Sequence, residues 1–428
     1  MRVAHYGNAC FSLFHQGTHL LCDPWLEAPA VAGGWEKFPP TEIRVRDIPK
    51  PDFLYISHIH SDHCEPETLA KLDKETPVIG LSREPAYLER MLRQQGFRNL
   101  RLIPEGRPAE IAPGLRVETF AATFEHAVAE VIDSSAIFDF DGCVVLNCND
   151  NLPEEPFCRE VAKRYPKIDL AFLPCTGGGS YPAMYQNFSD SEKEGIIAQV
   201  LEKKADVFGR AVDLLRPRVI VPVAGGYAVR GLHSPKVNWQ QIRRINLEEI
   251  IECQKLRGGF QSRILPMQPG MELDVDRGEM TKGRYRAWSR EELQQHFERL
   301  SVTPAVKSLA THRPLPALGR LMRSARAQLW KRQQQGKIFS DYRVVLDVEG
   351  QASLFEINLQ QEELRELPRS GPLEEPYLKM TLDQDTMLEW LLGFEDFNML
   401  DSGHRIAFFR APNRYVQEAY YLMSLFRL

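Results

Sequence analysis

The sequence predicts an α+β protein in three parts: a four-layer αββα sandwich over residues 1–275, a basic helical connector over 276–340 and a small α+β unit over 341–428. Three observations predict it. Through the first 275 residues, short apolar runs broken by Gly, Pro, Asn and Asp come in groups, with helical spacing late in each group. That order suggests two sheets with helices outside them. The charge then shifts, with fourteen Lys or Arg against five Asp or Glu over 276–340. From Asp341 onward a strand-like alternation returns. A chain of 428 residues is also long for one ordinary core.

In the first part, "RVAHYGNACFSLF" and "THLLCDPW" read as a hairpin turning at Gln16-Gly17, and "DFLYIS" as a short, fully apolar strand. "PVIGLS" and "LRLIP" are further strands, separated by a helix over "EPAYLERMLRQQGF" that ends at Gly96. "LRVETFAATF", "SSAIFDF" and "CVVLNC" follow as three strands in succession, then a short helix around "CREVAKRY" and the strand "LAFLPC". A longer helix spans Ser191 to Leu215, with Ile197, Val200, Leu201, Phe208, Val212 and Leu215 at helical spacing. "RVIVPVAGGY" is one more strand. In the connector, "GRLMRSARAQLWKRQQQGK" places Leu318, Leu321, Met322, Ala325 and Leu329 on one face and arginines on the other. Such a helix either touches a membrane, an RNA or an anionic ligand, or packs on its own protein. The last part reads as the strands "YRVVLDV", "ASLFEINL", "YLKMTLD" and "HRIAFFR", with helices over "DTMLEWLLG" and "RYVQEAYYLMSLFRL". Its order of helices and strands loosely resembles a sterol-carrier-type lipid-binding domain, so lipid or substrate binding is expected of it.

Composition narrows the function classes. A net charge of -5 argues against a protein built to coat nucleic acid, and none is expected as a partner. No run of about 18 apolar residues marks a transmembrane helix. The N-terminus carries one early arginine but no long apolar core, so it does not read as a signal peptide, and a cytoplasmic location is expected. The eight cysteines are scattered and none forms CxxC. Free thiols in a reducing compartment are therefore expected, without a four-cysteine zinc site or an iron–sulfur cluster.

The chemistry concentrates in "YISHIHSDHC", Tyr55 to Cys64, where His58, His60, Asp62 and His63 follow an apolar strand and precede a helix with Pro66 in its first turn. A turn between a buried strand and a helix is a rigid platform. Imidazole and carboxylate are good ligands for borderline divalent transition metals. A polar surface turn is the bland alternative, and four potential ligands in six residues argue against it. Cys64 stands beside a motif that is complete without it.

HxHxDH with these flanks resembles the metallo-β-lactamase superfamily. "YGNACFSL" resembles the opening strand of the branch that includes L-ascorbate-6-phosphate lactonase, with Asn8 where a histidine is common. "LLCDPWL", "GGWEKFPP", "PDFLYISHIHSDHCEPETL", "IDSSAIFDFDGCVVLNCNDN", "PCTGGGSYPAMY" and "RPRVIVPVAGGYAV" resemble, in order, the metallo-β-lactamase-like part of CMP-N-acetylneuraminate hydroxylase. The resemblance covers about residues 1 to 240. It implies two divalent transition-metal ions, one on His58 and His60 and the other on Asp62 and His63, with Asp150 of "NCNDN" bridging. It also implies a further ligand, His126 or alternatively Asp133, and a last histidine, His233. Zinc is the family's default, with iron or manganese as alternatives.

Two such ions would turn a shared water into a hydroxide nucleophile at neutral pH, with Asp62 orienting it or moving its proton. Asp23 of "CDPW" either supports a ligand histidine or makes a plain Asp-Pro turn. Tyr181, with Trp25 and Trp35, either lines the pocket or packs locally. "TGGGSYP" lacks the Lys-Ser/Thr of a phosphate-binding loop.

The expected activity is hydrolysis of an ester, lactone, amide, thioester or phosphoester bond in a small organic molecule. The first alternative is a di-iron oxygenase on the same site. It would need a separate redox partner, because the paired Cys-x-His and Cys-x-x-His words of a Rieske centre do not occur in these 428 residues. The second alternative is a non-enzymatic scaffold or lipid-binding protein with a structural metal. A histidine-rich, loop-borne site speaks against it, since structural zinc sites are usually closed and cysteine-rich.

Overall fold

The computed structural model describes residues 1–122, 134–174, 178–231, 234–242, 261–303 and 318–428. Two sheets face each other. The first runs, in spatial order, through Glu279–Lys282, Glu272–Asp274, Arg2–Gly7, Cys10–His15, Thr18–Cys22, Phe53–Tyr55, Val78–Ser82 and Leu100–Pro104. The second runs through Arg263–Ile264, Val219–Val223, Leu170–Pro174, Cys143–Asn147, Ser134–Phe140, Leu115–Ala121 and Ala109–Ala112. The expected hairpin turns at Gln16-Gly17, where both φ angles are positive (46° and 88°). Such a turn follows the twist of the strands it joins.

Each sheet is parallel in its later strands: Thr18–Cys22, Phe53–Tyr55, Val78–Ser82 and Leu100–Pro104 in one, Cys143–Asn147, Leu170–Pro174 and Val219–Val223 in the other. Parallel strands covered on both faces read as unbroken apolar runs, which is why "FLY", "LAFLP" and "VIVPV" show no alternation. Between the sheets, Val3, Leu13, Leu20 and Tyr55 meet Val117, Phe138, Val145 and Val221. Phe11 stacks on Phe172 there at a centroid distance of 3.7 Å. Each such side chain, fully buried, contributes about 1.5–3 kcal/mol.

Helices close the outer faces. Pro66–Lys71 and Tyr87–Gln94 bring Leu69 and Leu92 onto Leu21, Leu54 and Val78 of the first sheet. Glu155–Arg164 and Asp190–Leu215 bring Val161, Phe208, Val212 and Leu215 onto Ile137, Leu146, Ala171 and Ile220 of the second. The long helix starts where the sequence provides a reciprocal cap. Ser189 N donates to Glu192 Oε2 at 2.7 Å, and Glu192 N donates to Ser189 Oγ at 3.3 Å. The layers are the expected α, β, β and α.

Towards the C-terminus, Leu364–Pro368, Ser353–Asn358, Arg343–Val348, Tyr377–Leu382 and Ala407–Ala411 form a five-stranded sheet. The helix Leu318–Gly336 packs on it through Leu318, Met322, Ala325 and Leu329, which share a core with Val344 and Phe355. One detail corrects the picture of arginines on the outer face. Arg326 is buried and donates to Gln333 Oε1 at 2.8 Å, to Asn358 O at 3.1 Å and to Gln361 O. Carbonyls at a strand end take up its protons, so burial costs it less than an isolated charge would lose.

This core has no seam against the first part. Trp25, Val31, Trp35, Tyr185 and Tyr227 belong to the same cluster. The backbone joins too: Phe408 N donates to Met184 O at 2.9 Å and Gln186 N to Phe408 O at 2.7 Å. Among the described residues, no helix is long and apolar enough to cross a membrane.

Candidate metal centre

The parallel strands of both sheets end at the loops that carry the candidate ligands. Thr18–Cys22 leads to Asp23, Phe53–Tyr55 to residues 57–63 and Cys143–Asn147 to Asp150. Carboxyl ends of parallel strands are where such sheets open a crevice for ligands. The histidine loop is tight, with His63 N and Cys64 N both donating to His60 O, at 2.9 and 3.0 Å. Glu65 then caps the following helix through Glu67 N and Thr68 N. The Cys64 thiol donates to His60 O at 3.3 Å, so it braces the loop.

Three imidazoles converge on one carboxylate. His58 Nε2 lies 3.0 Å from His60 Nδ1 and 3.6 Å from Asp150 Oδ2. His63 Nε2 lies 3.6 Å from the same oxygen and 3.2 Å from Asp62 Oδ2. One ligand atom from each of His58, His60 and Asp150 falls within 4.8 Å of the others. Asp150 Oδ2 is thus equally far from His58 and His63, which is the placement a bridging carboxylate needs.

Protein partners occupy the outer nitrogens. Asp23, fully buried at a φ of 43°, accepts from Ser57 N and Ser57 Oγ, each at 2.8 Å, and faces His63 Nδ1 at 3.0 Å. Ser57 Oγ also lies 2.9 Å from His58 Nδ1. Because that hydroxyl gives its proton to Asp23, it accepts from His58 Nδ1. This network favours Nδ1–H on neutral His58, and on His63 once it has given up its second proton, so that the Nε2 atoms of both face Asp150.

Two further braces hold the carboxylates. Asn8, at a φ of 49°, donates from Nδ2 to Asp62 Oδ2 at 3.0 Å, while Gly226 N donates to Asn8 Oδ1 at 3.2 Å. Asp150 N donates to Asn149 Oδ1 at 2.8 Å, and Asn149 and Asn151 both donate to Ser134 O, at 2.6 and 2.9 Å. Ser134 Oγ donates in turn to Ser57 O at 2.7 Å, tying the Asp150 turn to the histidine loop.

Electrostatics mark the cluster as a cation site. Burial, with His63 and His60 adding to it, holds His58 well below the usual histidine range. It is therefore neutral, as a ligand must be. Burial also acts on His63, but Asp62, Asp150 and Asp23 outweigh it and carry His63 well above that range. Burial opposes ionisation of Asp62, yet His63 keeps its carboxyl below the ordinary value. Burial pushes the Asp150 carboxyl the other way, upward, with His63 working against it. Among the described residues, Asp150 Oδ1 is buried with no hydrogen-bond partner, and His63 Nε2 makes no well-formed hydrogen bond despite its near neighbours. Oxygen and nitrogen lone pairs left converging and unpaired fit a divalent transition metal.

Of the residues predicted from sequence, the structure gathers His58, His60, Asp62, His63 and Asp150, with Asp23 behind His63. His126, Asp133 and His233 lie outside the described residues. Tyr181 is 44% exposed, beside Tyr185, and the Arg410 guanidinium lies 5.8 Å from its ring. Ser57, Ser134, Asn149 and Asn151 were not foreseen, and neither was Asn398. Asn398, of the short helix Phe397–Ser402, places Nδ2 3.3 Å from His60 Nε2. Nothing local in "EDFNML" marks it, because the contact joins positions 338 apart.

Fold and site together define a metallo-β-lactamase-type protein, and the chain belongs to the beta-lactamase superfamily: a model of the "Beta-lactamase superfamily domain" matches residues 2–224. Among curated proteins it is similar to the inactive cytidine monophosphate-N-acetylneuraminic acid hydroxylase of Homo sapiens, 27% identical over 296 residues, 66% of this chain and 56% of that protein. It is also similar to the cytidine monophosphate-N-acetylneuraminic acid hydroxylase of Mus musculus, 28% identical over 246 residues, 55% of this chain and 41% of that one. The chain therefore spans about half the length of these relatives. Among solved structures, it is similar to CmlA, a diiron beta-hydroxylase from Streptomyces venezuelae, with a TM-score of 0.44 and 19% identity over 61% of this chain and 52% of that one. Igni18, a metallo hydrolase from Ignicoccus hospitalis, gives a TM-score of 0.42 and 19% identity over 64% of this chain and 97% of that one.

Proposed function

We propose that this protein is a dinuclear metal-dependent hydrolase of a small organic substrate carrying an ester, lactone, amide, thioester or phosphoester bond. The observation that carries this reading is the convergence of His58 Nε2, His60 Nδ1 and His63 Nε2 around Asp150, whose Oδ1 has no partner among the described residues. His58 and His60 would hold one divalent ion, Asp62 and His63 the other, and Asp150 would bridge them. His126, or Asp133 in its place, and His233 would complete the set. The ions, zinc by expectation and iron or manganese as alternatives, would supply Lewis acidity toward a shared water and a substrate oxygen. Asp62, held through Oδ2 by Asn8, would orient that water and take its proton. Asp23 would keep His63 in its ligating tautomer.

Of the two roles expected for residues 341–428, substrate binding is the one we propose, since Asn398 brings this part of the chain to the metal loop. A reducing, cytoplasmic setting is proposed from the sequence, whose eight cysteines are scattered without a CxxC pair.

A second reading, hydroxylation on a di-iron form of the same site, is favoured by the similarity to the hydroxylase of Mus musculus. It would draw electrons from a separate redox protein.

Metal analysis of the purified protein, followed by assays on ester, lactone and phosphoester panels, separates the two. Two zinc ions with turnover that is lost in His60→Ala and Asp150→Ala support hydrolysis. Two irons with a visible charge-transfer band and no hydrolysis move the assignment to oxygenation. A protein that binds no metal under any loading condition refutes both.

A further inference from the structure

The histidine loop is finished by a residue from the far end of the chain. His60 differs from its two neighbours in which nitrogen it turns inward. His58 and His63 present Nε2 to Asp150, whereas His60 presents Nδ1 to His58 Nε2, at 3.0 Å. An imidazole that offers the Nδ1 lone pair to a cation carries its proton on Nε2, and that N–H needs an acceptor. Among the described residues, the polar group given to His60 Nε2 is the side-chain amide of Asn398, at 3.3 Å. In the structure Nδ2 faces the ring, as suits an unprotonated Nε2; a half-turn of the amide exchanges its ends and would bring Oδ1 to a protonated Nε2.

The helix that carries this amide is held in place by its surroundings. Asp396 caps the helix by accepting from Met399 N at 3.0 Å, and Phe397 is buried against the rings of Trp390 and Phe408. One turn beyond Asn398, Ser180 Oγ donates to Asp401. At the helix end, Trp35 Nε1 donates to Ser402 O at 2.8 Å, and Gly403 packs against Gly34 so closely that a Cβ on Gly34 would stand 2.3 Å from Gly403 O. The helix is thus anchored to two separate segments of the N-terminal part, around Gly34-Trp35 and at Ser180, while its second residue faces His60.

We propose that Asn398 is a positioning residue for the metal ligand His60: it accepts the Nε2 proton, fixes the ring and its tautomer, and makes the metal centre depend on the C-terminal part of the chain. The proposal rests on the metal-centre reading given above. Supporting partners of this kind typically change metal affinity 10–100-fold when removed.

The test is a titration of the apo protein with zinc against a chromogenic chelator, for the wild type and for Asn398→Ala, Asn398→Ser and Asn398→Asp, with the apo melting temperature of each. Asn398→Ala and Asn398→Ser should weaken one of two zinc sites about 10–100-fold, with the other unchanged. Asn398→Asp should restore wild-type affinity or exceed it, because a carboxylate is the stronger acceptor for an imidazole N–H. Wild-type affinity in both small variants would overturn the proposal, as would an Asn398→Asp variant as weak as the alanine. A wild type that binds no zinc and no iron would instead remove the metal-centre reading beneath it. If the alanine variant fails to fold, the serine and aspartate variants decide.

Discussion

Asp23 offers a sharp test, because its two oxygens do different work. Oδ1 accepts from the Ser57 backbone, whereas Oδ2 accepts from the Ser57 hydroxyl and faces His63 Nδ1. In Asp23→Asn the amide oxygen can keep the backbone bond. The NH₂ end then replaces Oδ2 and donates where it used to accept. His63 must answer with the lone pair of Nδ1, which moves its proton to Nε2, the nitrogen facing Asp62 and Asp150. That nitrogen can no longer bind a cation. The Ser57 hydroxyl proton also loses its acceptor inside the protein, a cost of about 1–3 kcal/mol in folding stability. The metal effect should be the larger signature. Loss of a supporting carboxylate is worth roughly 10–100-fold in affinity, or about 1.4–2.7 kcal/mol, and a misplaced proton pushes toward the upper end. The assay is chelator competition at pH 7.5 with a count of bound equivalents, beside urea denaturation of the apo form. One strong equivalent instead of two, in a folded protein, is the expected result. Two equivalents at wild-type affinity would show that Asp23 does not set the tautomer of His63.

Two other outcomes follow from the contact between the two ends of the chain. Burial pushes Asp401 up to about 6, with the Ser180 hydroxyl working the other way. A carboxyl that is harder to ionise in the folded state binds more protons there than in the unfolded chain. Stability is therefore lost as pH rises from about 4 to about 6, and stays lost above that. Asp401→Asn should then raise stability by about 1–2 kcal/mol at pH 8 and by nothing at pH 4, measured by denaturant melts across pH; a gain independent of pH would refute the burial argument. Gly34→Ala must displace Gly403, at a cost of about 1–3 kcal/mol from overpacking. Because Gly403 closes the helix bearing Asn398, the same variant should weaken zinc binding, and unchanged melting together with unchanged zinc affinity would count against the docked arrangement.

Much of the site was legible because its determinants are local. His58, His60, Asp62 and His63 sit within six residues after an apolar strand, and Asp150 ends another such strand. Asp23 follows a third, in a left-handed turn that an aspartate tolerates well. The outer helices were legible for a like reason: apolar spacing is a property of a few neighbouring residues. What escaped was decided by distance. Asn398 and the helix 397–402 have no local mark of function, Arg326 turns inward only because carbonyls at a strand end await it, and short strands such as Tyr227–Val229 exist because a remote partner, Trp35–Lys37, pairs with them. Asn8 was visible only as a departure from the family's histidine, and its bond to Asp62 required coordinates.

The span between His60 and Asn398 has a consequence in time. The two positions are 338 residues apart. At about 5–20 residues per second, a ribosome needs roughly 20–70 s to travel between them. For that interval the histidine loop is already outside the exit tunnel while its last neighbour has yet to be made. Any metal captured then is held by the loop without Asn398. If Asn398 braces His60 as proposed, a metal captured in that interval would sit in a looser, more exchangeable site than the mature one.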